Sequence, residues 1–230
     1  MSSYTIFLCG KTSTLKSYVF PPLKLSKNRN WEAALLDFTT YNSIPNIIQG
    51  VNNKFHYRSG TDDKTVELDT GSYEIDDIGR VLQEKLGSGN ISLKANNNLL
   101  KCEMISKFEV DFSKDSTVGS LLGFGKKKYQ ANTSHMSDNT VNIVKVEVIN
   151  ITCNIVQGAF KNGHDGHILH SFYPTVAPGF KIVEKPHNLI YLPLNVSLLS
   201  DIELSVTDQD GDIIDFRGEV ITARIHIRSR

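Results

Sequence analysis

Cysteine is scarce. Cys9, Cys102 and Cys153 are the three in the chain, far apart and without a Cys-x-x-Cys pair, which speaks against a disulfide framework or a structural zinc site and fits a reducing compartment. Methionine is equally rare, with three, and alanine is infrequent, which argues against a helical bundle. No apolar run approaches the roughly 20 residues that a membrane span requires, so no span is expected. The first residues lack a basic leader followed by a small-residue cleavage site, and secretion through a signal peptide is not expected. The sequons at Asn90, Asn132, Asn150 and Asn195 are therefore expected to stay unglycosylated. An excess of either charge is also missing. Lys and Arg number 25 against 25 Asp and Glu, split 14 and 14 over residues 1–115 and 11 and 11 over 116–230, a balance unlike that of a nucleic-acid-binding surface.

What is present is material for strands: eleven Phe, eight Tyr and many Val, Ile and Thr in 230 residues. No linker, repeat or charge shift divides the chain, so one domain is the simplest partition. Residues 74–86 read as a helix, with Ile75, Ile78, Val81, Leu82 and Leu86 at helical spacing, Ser72 as its N-cap, acidic residues in its first turn, and Lys85 and Gly87 at its end. A second, shorter turn of helix is expected over 117–122, stopped by Gly123. Residues 54–58 with 65–69, and 91–94 with 99–105, read as hairpins. Residues 141–156 form the longest β run. Its apolar set changes phase near Val148 and Ile149, which implies either a β-bulge there or a strand buried on both faces. In the last strand Ile221, Ala223, Ile225 and Ile227 alternate with Thr222, Arg224, His226 and Arg228, giving one core face and one wet or interfacial face. About ten strands with two helices in loops predict an all-β fold, an antiparallel sandwich of the jelly-roll type, with an immunoglobulin-like or other Greek-key sandwich as the alternative.

Chemistry-bearing clusters are few. His164, His167 and His170 are the best metal candidate, but on a regular strand His167 points opposite to the other two, and a polar loop leading into a strand is the competing reading. Asp201, Asp208, Asp210, Asp212 and Asp215 form an acidic cluster. Gly211 falls between the second and third Asp of a calcium-like spacing, so Asp208 to Gly211 reads as a hairpin turn. The glycines 119, 123 and 125 followed by Lys126, Lys127 and Lys128 lack the Ser or Thr and the following helix of a phosphate loop. Cys102 and Cys153 sit in apolar runs and are expected to be buried and inert. Trp31 reads as a core or strand-cap aromatic before a ligand-stacking one. No Gly-x-Ser-x-Gly elbow occurs, and no catalytic residue, cofactor or metal is assigned.

The order of several blocks carries a resemblance. These are residues 31–47 (WEAALLDFTTYNSIPNI), 71–78 (GSYEIDDI), 91–98 (ISLKANNN), 120–124 (SLLGF), 141–148 (VNIVKVEV), 153–156 (CNIV), 172–182 (FYPTVAPGFKI), 208–219 (DQDGDIIDFRGE) and 223–228 (ARIHIR). Together they resemble the minor capsid protein, or penton, of Polinton/Maverick elements and adintoviruses. The resemblance implies an N-terminal segment over 1–14 and a single jelly-roll capsid domain over 15–230. It further implies a structural virion protein without enzymatic activity, forming a homopentamer at the fivefold vertices of an icosahedral shell beside a double-jelly-roll major capsid protein. Assembly is then expected inside the host cell, in cytoplasm or nucleus, without direct contact to nucleic acid. Arg224, His226 and Arg228, and the loop Lys126 to Lys128, are the candidate contact surfaces. A jelly-roll module that binds a glycan or host receptor is the alternative function.

Overall fold

A computed structural model describes residues 2–26 and 28–230 of the chain. Backbone packing divides it into two compact units, one ending at Ile44 and resuming over Val146–Arg230, the other a continuous insertion, Pro45–Lys145.

The first unit is built on eight strands: β1 (Ser3–Gly10), β2 (Thr14–Lys24), β3 (Trp31–Tyr41), β4 (Ile149–Cys153), β5 (Ile168–Phe172), β6 (Lys181–Glu184), β7 (Leu198–Thr207) and β8 (Ile221–Ser229). They pair as nested antiparallel partners, β1 with β8, β2 with β7, β3 with β6 and β4 with β5, as if one long hairpin were folded over. Two further pairings, β8 with β3 and β7 with β4, close the arrangement into sheets ordered β1-β8-β3-β6 and β5-β4-β7-β2. Nested pairing with this strand order is the jelly roll, so the predicted all-β, jelly-roll class holds.

Side-chain alternation places the core. Ile221, Ala223, Ile225 and Ile227 of β8 are at most 1% exposed and meet Leu8, Phe38, Ile151, Leu204 and Val206 in a single apolar cluster. Each fully buried aliphatic side chain is worth about 1.5–3 kcal/mol, against about 0–1 kcal/mol for an exposed ion pair. The apolar set therefore decides which face of β8 turns inward, and the arginines follow.

The inserted unit has its own core, with Phe55, Ile78, Leu82, Met104, Phe112 and Leu122 at 1% exposure or less. Around it lie a four-stranded sheet (Asp62–Glu67, Lys54–Ser59, Glu109–Asp111, Lys128–Tyr129) and a three-stranded one (Ser134–Met136, Lys101–Ser106, Ile91–Asn96). Helix α1 (Ile75–Leu86) buries Ile75, Ile78, Gly79 and Leu82. Both predicted hairpins are present, Lys54–Ser59 with Asp62–Glu67 and Ile91–Asn96 with Lys101–Ser106.

Several local expectations are corrected. Glu74, not Ser72, caps α1, because Asp77 lies three residues further on and its carboxylate accepts the Glu74 N–H at 3.2 Å. Residues 118–122 make turns, and Thr117 forms an isolated parallel bridge with Lys54. Gly123, at φ +80°, redirects the chain, and a side chain there would collide with the Asn139 carbonyl. The run 141–156 is a strand only over Ile149–Cys153 because the boundary between the units falls inside it. Val141 and Ile143 pack on the inserted core, Val146 to Ile155 contribute to the sandwich core, and Val144 is exposed. The irregularity in β4 lies at Ile151 and Thr152, opposite β5, rather than at Val148 and Ile149.

The division of the chain also differs from the one expected. Ser3–Gly10, expected as part of a separate segment, is a full strand paired along β8, and residues 15–230 contribute to two cores instead of one. The stretches in which the chain passes from one unit to the other, around Ile44 and around Lys145, are short and not rich in Pro, Gly and Ser, so composition has nothing to register.

Candidate assembly surfaces

The outer face of the β1-β8-β3-β6 sheet carries the first candidate surface. Register places Phe7, Arg224 and Asp37 on one cross-strand row, and Ser3, Arg228 and Glu32 on another. The Arg224 guanidinium grips Asp37 with two donors, Nε reaching Oδ1 at 2.9 Å and Oδ2 at 2.6 Å and Nη2 donating to Oδ2, and lies 5.9 Å from the ring of exposed Phe7. Arg228 Nε donates to Glu32 at 2.6 Å while its guanidinium carbon sits 3.4 Å from the centre of the Tyr191 ring. His226 Nδ1 lies 2.8 Å from the Tyr191 hydroxyl. All three predicted contact residues are thus engaged within the chain. What this face offers a partner is a set of neutralised, shape-fixed rungs rather than free positive charge.

The second candidate, Lys126 to Lys128, divides its charges. Lys127 Nζ donates to Asp138 at 2.6 Å, and Lys128 Nζ is 3.5 Å from Glu109. Asp138 is a hub: its Oδ2 also accepts the Gly125 N–H at 2.9 Å and the Tyr129 hydroxyl. Lys127 first, then Tyr129 and the Gly125 amide, hold the Asp138 carboxyl well below the usual carboxylate range. Burial and the facing carboxylate push the Tyr129 hydroxyl up. Lys126 makes no ion pair among the described residues.

The remaining clusters disperse. His164 is exposed on a short hairpin, His167 Nδ1 lies 2.6 Å from the Val156 carbonyl, and His170 Nε2 is 2.9 Å from Glu184, so the rings of His167 and His170 are held by different neighbours. No three His, Cys, Asp or Glu side chains gather around one point among the described residues. Asp208 is buried, and its Oδ1 accepts the amides of Asp210, Gly211 and Asp212 at 2.9–3.0 Å, which is turn chemistry. Trp31 is 9% exposed and stacks on Tyr4 in the sandwich core. Cys102 and Cys153 are buried, and desolvation pushes both thiols up to about 12.

Two features escaped the sequence reading. Asp37 and Glu32 stand inside an otherwise apolar strand, and an acidic residue in such a run is a usable sign of a cross-strand basic partner. The Asp138 hub had no comparable sign, because its partners lie on a loop and a short strand.

Four of the exposed apolar side chains lie on edge strands of the sandwich: Phe7 on β1 at 68%, Tyr18 and Phe20 on β2 at 76% and 94%, and Val183 on β6 at 52%. β2 pairs along one side only, and at Leu199 and Asp201 of β7 its register jumps from Leu23 to Tyr18, which sets Val19 to Pro22 outside the ladder.

No family model and no curated protein matches the chain. Among solved structures, the crystal structure of the mavirus penton protein is similar over 100% of both chains, with a TM-score of 0.52 and 12% identity. The chain has a penton-like fold. At that identity the likeness concerns the fold, and it agrees with the strand order derived above from pairing alone.

Proposed function

We propose that this protein is a capsid subunit of the penton kind, related to the Polinton/Maverick and adintovirus minor capsid proteins. It assembles as a homopentamer at the fivefold vertices of an icosahedral shell, beside a double-jelly-roll major capsid protein, in a virion formed inside the host cell. The observation that carries this is the coincidence of the whole chain with the mavirus penton protein in fold. Eight principal strands of the first unit build one jelly roll, and the inserted unit is a different arrangement of smaller sheets, so the subunit fits a vertex protein rather than the double-jelly-roll wall protein.

Physical features support the same role. A five-membered ring requires a head-to-tail interface that closes, and such an interface covers strand edges that a monomer leaves open. Here the free edges carry exposed aromatic and aliphatic side chains, while the broad sheet face has its charges neutralised. Desolvating neutralised rungs and apolar edges costs less than desolvating free charge.

Native mass spectrometry and negative-stain microscopy of the purified protein test the proposal. Five-membered rings are expected. A protein that stays monomeric at high concentration, and also in the presence of the co-expressed major capsid protein, would overturn it.

A further inference from the structure

The inserted unit contains a cavity of about 190 Å³ beside the glycine-spaced segment 119–125 and the lysine loop. That volume is below the roughly 300–1,000 Å³ of pockets that take drug-sized molecules, so an occupant must be small. Phe112 and Phe124, stacked with centroids 5.4 Å apart and almost wholly buried, contribute a rigid apolar wall. Lys114 and Lys126 line the same space, against one carboxylate, Asp115, so the lining carries two cations and one anion.

The supply of carboxylates nearby is short. Lys114 shares Asp63 with Arg58, at 3.2 Å and 2.8 Å, and these two donors hold the Asp63 carboxyl down at about 2. Lys126, unlike its two neighbours in sequence, has no ion pair among the described residues. Hydroxyls complete the lining: Thr117, whose Oγ1 accepts the Gly119 amide at 3.3 Å and keeps its own proton to donate, and the exposed Ser120.

We infer that this cavity binds a small hydroxylated carboxylate, of the class of an acidic monosaccharide. The carboxylate lies between Lys114 and Lys126, the ring hydroxyls meet Thr117 and Ser120, and the C–H groups of the ring sit over the small part of Phe112 and Phe124 that reaches the cavity. Cation then meets carboxylate and hydroxyl meets hydroxyl, and the two lysines outnumber the single carboxylate, Asp115, that opposes an anionic ligand. The site lies wholly within the inserted unit and is independent of the assembly proposed above.

Saturation-transfer NMR, which reads monomer and ring alike, tests this with methyl β-glucuronide as the probe. Saturable binding with a millimolar-range Kd is expected, weakened about fivefold or more in Lys126→Ala, the equivalent of one partly exposed ion pair, and unchanged in Lys128→Ala. Methyl β-glucoside, which lacks the charge, is expected to bind about fivefold more weakly or worse. Equal response to the two sugars, equal binding by both lysine variants, tighter binding of inorganic phosphate than of the glucuronide, or no saturable response would each overturn the assignment. Lys126 is exposed, so loss of binding in its variant is separable from loss of fold by its unchanged melting temperature.

Discussion

Asp37 and Arg224, separated by 187 positions in sequence, lie side by side on the outer face of the sandwich, where β3 meets β8. The carboxylate side chain is only 10% exposed whereas the guanidinium is 45% exposed. Removing the arginine therefore strands a nearly buried anion. Arg224→Ala is expected to cost about 1–3 kcal/mol in urea denaturation. The Asp37→Ala/Arg224→Ala double variant is expected to cost clearly less than the sum of the single changes. Strict additivity would show that the two side chains are not coupled.

Thr40, also on β3, shows the opposite imbalance. Its hydroxyl is buried at 1% exposure and finds no hydrogen-bond partner among the described residues. Thr40→Val keeps the shape and removes the unpaired group, and it is expected to stabilise the protein by about 1 kcal/mol, read as a raised unfolding midpoint. A lowered midpoint would mean that the hydroxyl is satisfied in solution.

The cysteines give a kinetic readout of burial. Cys9 is exposed on β1, while Cys102 and Cys153 lie in separate cores with thiols pushed up to about 12. A thiol-reactive dye is expected to modify one cysteine rapidly in the native protein and the other two only on unfolding. Rapid labelling of Cys102 in the native state would show that the inserted unit opens on its own.

The Asp138 hub sets a pH dependence with a defined sign. Its folded pKa lies below that of an ordinary carboxylate, so its contribution is complete above the unfolded value near ~3.9 and is lost as pH falls through the folded one. Thermal melts are expected to be unaffected by this group at neutral pH and to decline below about pH 4. Asp138→Asn is expected to flatten that acid limb while lowering stability at pH 7. An unchanged acid limb in the variant would assign it to other carboxylates, with Asp63 the first to test, since its carboxyl is also held down, at about 2.

How much was legible from sequence depended on whether the deciding interaction was local. The alternation of Ile221 to Arg228 predicted both faces of β8, and the helix was placed to within a residue because its spacing, first-turn acids and Gly87 act over short distances. The run 141–156 misled for the same reason. Its apolar side chains serve two different cores, and alternation registers burial without saying which core receives it. The lysine triplet was legible as a charged loop, but its division into two ion-paired residues and one facing a cavity depends on Asp138 and Glu109, which approach only in the folded unit.

By itself, then, the sequence determined the all-β character, the inward faces of the principal strands and the turn chemistry at Asp208 to Gly211, because period, side-chain size and backbone hydrogen bonding act within a few residues. The tertiary structure alone decided the nested pairing of β1 with β8 through β4 with β5, the place where a second core interrupts the first, and the neutralisation of Arg224 and Arg228. Each of these rests on contacts between residues far apart in sequence, where many pairings satisfy the same alternation and only the packed whole selects one.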